Sequence, residues 1–145
     1  MRIMIYTEMT KKAMTIAHKA HLNQVDKAGF PYIHHPLHLA ESMLDEKSTC
    51  VALLHDVVED SDYTFEDLIN EGFDDDIIEA LKLLTHNDGS EYFTYIKRIK
   101  TNDIARSVKL ADLKHNSDLS RLSVVSAESL IRQKKYLEAI RILSE

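Results

Sequence analysis

His55 and Asp56 interrupt the apolar run Cys50-Val51-Ala52-Leu53-Leu54-His55-Asp56-Val57-Val58, which continues into Glu59 and Asp60. The pattern predicts a helix through this stretch with apolar residues on every face, and therefore one that is buried on most sides. An imidazole and a carboxylate in such surroundings are costly unless something pairs with them, and a metal ion satisfies both at once. His55 and Glu59 are four apart and share a face, while Asp56 and Asp60 form the neighbouring row. The first turn thus offers metal ligands. The second places carboxylates one helical step away, where a water or its target would lie.

Further ligands can be sought elsewhere in the chain. Asp112, in Val108-Lys109-Leu110-Ala111-Asp112-Leu113, shares a helical stripe with Ala105, Val108, Asn116 and Leu119 and should face inward. Taken alone, it reads more readily as an N-cap or a buried hydrogen-bond acceptor than as a ligand. In His34-His35-Pro36 the residue before proline is expected to be extended, which fixes the direction of His35 at the mouth of a helix opened by Pro36. On composition, either histidine could be a ligand. His35, His55, Asp56 and Asp112 together make two imidazoles and two carboxylates, a set that suits Mn²⁺, Fe²⁺ or Zn²⁺. Such an ion polarises a phosphoryl group and lowers the pKa of a water. Glu59 and Asp60 would orient that water or move its proton.

The elements that must position these groups all read as helices. Thr7 to about Gln24 is amphipathic, and Ala28-Gly29-Phe30-Pro31 breaks the pattern. Helices are expected from Pro36 to Leu44, from a Ser48 cap through His55, and from a capping box at Thr64–Asp67 to a stop at Gly72. Others are expected over 74–84, 91–100, 103 to about 119, and 127–143, with a turn at Asn87-Asp88-Gly89-Ser90. No segment alternates with a period of two. The fold class is all-α, a single domain over 1–145 of about seven or eight helices.

Composition narrows the function classes. A length of 145 residues supports a proper core, and three Gly and two Pro argue against a turn-rich β protein. A net charge of −6 argues against general nucleic-acid binding. The lone Cys50 excludes an internal disulfide and reads as a small buried apolar residue. No run approaches a membrane span, and the apolar run in Met1–Tyr6 is too short for a leader, so the expected location is the cytoplasm. His18 and His21 lie near the end of the first helix, where packing is the expected job of His21, and His38, His86 and His115 have no ligand-like context of their own. Tyr92, Tyr95 and Ile99 read as core, and Asp74-Asp75-Asp76 as a helix start. A homodimer is a possible assembly.

The residues also match a known pattern. Ala20-His21, Gln24, Lys27, Pro31-Tyr32-Ile33 and His35-Pro36 resemble the first motif of the alarmone-hydrolase branch of the HD metal-dependent phosphohydrolases. Leu53-Leu54-His55-Asp56 with Val58-Glu59-Asp60 resembles the second motif, and Lys109-Leu110-Ala111-Asp112 with His115-Asn116 the third. In length the chain resembles the small alarmone hydrolases. The resemblance implies one metal ion, usually Mn²⁺, on His35, His55, Asp56 and Asp112, with Glu59 and Asp60 serving the attacking water. The implied reaction removes the 3′-pyrophosphate from guanosine tetra- or pentaphosphate. Asn116, Arg132 and Tyr136 are then substrate contacts, with Lys27, Lys97 and Arg98 as basic residues for the phosphates.

Two departures stand out. Asn23 and Asp26-Lys27 occupy positions where the family commonly has Gly and an Arg-Lys pair, and Leu113 follows Asp112 where Arg or Lys is usual. The family Arg packs on guanine, and an Asp cannot stack there. Two further readings are therefore kept: an HD phosphohydrolase for another nucleotide (an adenosine alarmone, a simple nucleotide or a dinucleotide), and a non-catalytic nucleotide-binding regulator.

Overall fold

The computed structural model describes residues 3–145; Met1 and Arg2, which open the segment considered as a leader, lie outside the described residues. The described chain is helical: α1 (Glu8–Ala20), α2 (His34–Glu41), α3 (Glu46–Leu54), α4 (Val57–Asp60), α5 (Phe65–Asn70), α6 (Asp75–Leu84), α7 (Tyr92–Lys100), α8 (Asp103–Asn116) and α9 (Ala127–Ser144). A short 3₁₀ turn, Leu119–Arg121, precedes α9. Among the described residues the only β pairing is an isolated bridge between Val25 and Pro31. No helix among them is long and apolar enough to cross a membrane.

Helix α3 is the axis. All its residues from Ser48 to Leu54 are buried, and α1, α2, α6 and α8 pack around it. Its one-sided neighbours follow the amphipathic rule: α1 turns Ala13, Ile16 and Ala17 inward, and α6 turns Ile77, Ile78, Leu81 and Leu84. Burying a leucine such as Leu53, Leu81 or Leu113 stabilises by about 1.5–3 kcal/mol, so this core holds the functional helices in fixed relation. The expected capping box at Thr64 and Asp67 is present, and α5 stops where Gly72 takes a left-handed φ of 96°. Gly72 N–H donates to Ile69 O and Phe73 N–H to Leu68 O, closing a Schellman motif.

Several boundaries differ from the sequence expectation. The helix through His55 is not continuous: α3 ends at Leu54 and α4 begins at Val57. The His55 Nδ1–H donates to Ala52 O at 2.7 Å, taking the carbonyl that Asp56 N–H would use in an unbroken helix. Asp56 then sits at φ −109°, ψ 3°, the sparsely populated bridge region. Asp45, not Ser48, caps α3; its carboxylate accepts from Ser48 N–H at 2.8 Å. Helix α2 opens at His34, so His35 lies in its first turn and not extended ahead of it. Pro36 is tolerated there because first-turn N–H groups have no helical partner to lose. Helix α8 stops at Asn116, and Asp118 caps the 3₁₀ turn by accepting from Ser120 N–H.

Candidate metal centre

The break at His55–Asp56 matters for chemistry. Consecutive side chains on a continuous helix diverge by about 100°. Here they converge, with His55 Nε2 3.0 Å from Asp56 Oδ2. Ligand atoms of His35, His55 and Asp56 all lie within 4.8 Å of one another. From α8, Asp112 Oδ1 reaches the same point, 2.7 Å from His35 Nε2 and 3.7 Å from His55 Nε2. The four residues expected as ligands therefore meet in one buried cup between α2, the α3–α4 break and α8.

Each of them is held from behind. Tyr32 hydroxyl donates to Asp56 Oδ2. Lys109 Nζ donates to Asp112 Oδ2 at 2.9 Å and Asn116 Nδ2 to Asp112 Oδ1 at 3.0 Å. His35 Nδ1 and His115 Nδ1 are 2.7 Å apart. Burial, and then the charges of His35 and Arg121, push His115 down to about 3, so it is neutral and accepts from His35 Nδ1–H. With Nδ1 used in this way, Nε2 is the atom His35 turns to the cup, 2.7 Å from Asp112 Oδ1, and the Ala52 bond orients His55 Nε2 likewise.

Charge in the cup is concentrated. Burial opposes a charged His55, yet Asp56 and Asp112 beside it hold its pKa well above the ordinary value. Burial likewise opposes an ionised Asp112, but Lys109 and the two histidines keep it far below the carboxylate range. Burial and the Asp56 charge push the Tyr32 hydroxyl up, so it remains a donor. His55 Nε2 is buried without a hydrogen-bond partner although two carboxylates lie close, because the distance to Asp56 is reached without hydrogen-bond alignment. A divalent cation would take the place of the Nε2 protons between these imidazoles and carboxylates. This donor set fits a divalent transition-metal ion.

Glu59 and Asp60 stand beside the cup. Glu59 Oε1 accepts from His86 N–H, and His86 itself stacks flat on Tyr95 at 4.2 Å. Desolvation raises the pKa of Glu59 against the effect of the His86 bond, and the Asp56 and Asp60 charges add to the rise. Desolvation and Asp56 raise Asp60 as well. The backbone carbonyl of Asp60 accepts from Gln24 Nε2 at 2.9 Å, and Gln24 Oε1 lies 2.9 Å from the buried His21 Nδ1. His21 thus supports the second motif through Gln24 in addition to packing on Tyr32.

A cleft of about 300 Å³ opens beside the cup, with Tyr32 and Asn116 on its lining. Lys27, Arg132 and Tyr136 line it too. Lys97 and Arg98 do not: both are exposed on α7, and Arg98 is paired with Asp88 at 3.0 Å. Lys109, with its side chain 15% exposed, is drawn onto Asp112 at 2.9 Å. Asn23 has φ 69°, a left-handed backbone that Asn adopts more readily than other side-chain-bearing residues, so it does the conformational work of the Gly common at that position. Asp26 turns Oδ1 to the N–H groups of Ala28 and Phe30, at 2.9 and 3.0 Å, and Oδ2 to Arg121 at 2.9 Å. Arg121 was not singled out from sequence. It lies in a serine-rich stretch without periodicity, and only the fold shows its partner.

A family model described as an HD domain matches residues 13–141. The chain belongs to the HD domain family. A Borreliella burgdorferi protein named guanosine-3′,5′-bis(diphosphate) 3′-pyrophosphohydrolase is 38% identical over 120 residues, 72% of this chain and 18% of that protein. A Haemophilus influenzae protein of the same name is 36% identical over 116 residues, 70% of this chain and 17% of that one. The HD chain therefore spans less than a fifth of the length of these curated relatives. In fold it is similar to a solved structure described as a metazoan ortholog of SpoT that hydrolyses ppGpp, with a TM-score of 0.74, 24% identity, and coverage of 96% of this chain and 87% of that one. That likeness agrees with the all-helical architecture.

Proposed function

We propose that this HD domain is a metal-dependent phosphohydrolase that removes the 3′-pyrophosphate from guanosine tetra- or pentaphosphate, with Mn²⁺ on His35, His55, Asp56 and Asp112. The observation that carries the reading is the meeting of those four side chains around an unpartnered, buried His55 Nε2. The names of the Borreliella and Haemophilus relatives supply the substrate. When bound, the ion supplies Lewis acidity toward a phosphoryl oxygen and toward a water.

The protein's own groups account for the rest. Glu59 is fixed by His86 N–H and desolvated, which raises its proton affinity and suits it to take the proton of the attacking water. Asp60, one residue on and also raised, orients that water. Lys27 and Arg132 offer positive charge to the phosphate arms from the cleft wall. Asn116, tied to Asp112, joins the ribose side of the cleft to the cup, and Tyr136 one turn beyond Arg132 flanks the ligand. Lys97 and Arg98 stand outside this scheme.

A substrate panel with Mn²⁺ tests the reading. Pyrophosphate release from guanosine 3′,5′-bis(diphosphate) is the expected outcome. Hydrolysis confined to adenosine or simple nucleotides would keep the enzyme class and remove the alarmone. Tight nucleotide binding with no turnover at any divalent metal would favour the regulator instead.

A further inference from the structure

We propose that Arg121 reads the base of the bound nucleotide, offering N–H donors to the acceptor edge of a 6-oxopurine; this rests on the nucleotide reading above and names what selects among nucleotides. Arg121 lies on the 3₁₀ turn and on the cleft wall. Its guanidinium is pinned twice, Nη2 on Asp26 Oδ2 at 2.9 Å and Nη1 on His115 O at 3.1 Å. Its side chain is 18% exposed and that of Asp26 9%, so the pair is built into the wall and is not a surface contact. Of the five N–H donors of an arginine, three remain for a ligand.

The two sides of the cleft differ in what they can hold. Lys27 and Arg132 both line the cleft, and two cationic side chains on one wall favour an anion there. Arg121 has its charge met by Asp26, and its chain neighbours Leu119 and Leu122 share the cleft lining, which suits a flat, uncharged ring. The phosphates therefore go to the Lys27 side and the base to the Arg121 side. Guanine presents O6 and N7 as adjacent acceptors on one edge, matching a guanidinium. Adenine places its N6 amino group where O6 would be and sets donor against donor. Asp26 itself is turned to Ala28, Phe30 and Arg121, so its role is to position Arg121 and not to touch the base.

The test is equilibrium binding of GDP and of ADP to the protein with Mn²⁺ present, for the wild type, Arg121→Met and Asp26→Asn. The expected wild-type preference for GDP is about tenfold or more, the discrimination a bidentate arginine–guanine contact supplies. Arg121→Met should bring the ratio close to one. Asp26→Asn keeps the loop hydrogen bonds to Oδ1 and releases Arg121, so it should reduce the ratio by less. It also serves if the methionine variant does not fold, which thermal melting shows. Equal wild-type affinities, binding of neither nucleotide, or equal weakening of both by the folded variants overturns the proposal. A GDP preference without pyrophosphate release would instead overturn the hydrolase and leave the base reading standing.

Discussion

The metal cup and the cleft wall are built to different standards. In the cup, each of His35, His55, Asp56 and Asp112 is held by another group; Ala52, Lys109 and His115 stand on helices α3 and α8, and Tyr32 in the turn that leads into α2. On the wall, Lys27 and Asp26 sit in the loop between α1 and α2, Arg121 in a 3₁₀ turn, and Arg132 and Tyr136 on the partly exposed half of α9. On the proposed reading the cup fixes what reaction is possible, and fixing it takes rigid supports. The wall then selects the molecule, and loops can change without disturbing the core. The difference teaches that, on this reading, the ligand could be altered at the wall without touching the groups that do the chemistry.

The comparison can be broken at its strongest point first. Asp56→Ala removes a ligand and the acceptor of Tyr32, and should abolish Mn²⁺-stimulated pyrophosphate release while circular dichroism still reports a helical protein. Glu59→Gln leaves the cup intact and should lower kcat by about a hundred- to ten-thousandfold, the range for a lost general base. Because desolvation raises Glu59 and a base works deprotonated, wild-type kcat should climb with pH through a value above the ordinary glutamate range. In Glu59→Gln that limb should be missing from the pH profile.

Smaller changes sharpen the contrast. Tyr32→Phe keeps the ring and loses the hydrogen bond to Asp56, so calorimetry should show Mn²⁺ affinity reduced by about ten- to a hundredfold. Arg98→Ala removes an exposed charge already paired with Asp88, away from the cleft. It should leave kcat/KM unchanged, and a clear loss would put α7 back among the substrate contacts.

How far the sequence could be read follows the same division. The helical class was legible from periodicity, and the capping box at Thr64 from residue types alone, because both signals are local. The four candidate ligands could be gathered from residue types, but only their resemblance to ordered motifs tied them together, since nothing local ties His35 to Asp112. The interruption at His55–Asp56 was hidden: every residue from Cys50 to Asp60 is compatible with one helix, and the break arises from a side chain taking a main-chain carbonyl. Lys97 and Arg98 misled because a basic pair carries no mark of the direction in which it points. Arg121 was invisible because its meaning depends on a carboxylate 95 residues earlier.

The contact between His35 and Asp112 spans 77 residues. During synthesis the first imidazole leaves the ribosome long before the last carboxylate exists, and closing so long a loop is among the slower steps of folding. Ion capture must therefore await nearly the whole of the matched region, and a translation product truncated before Asp112 would be inert toward nucleotides however well its early helices had formed.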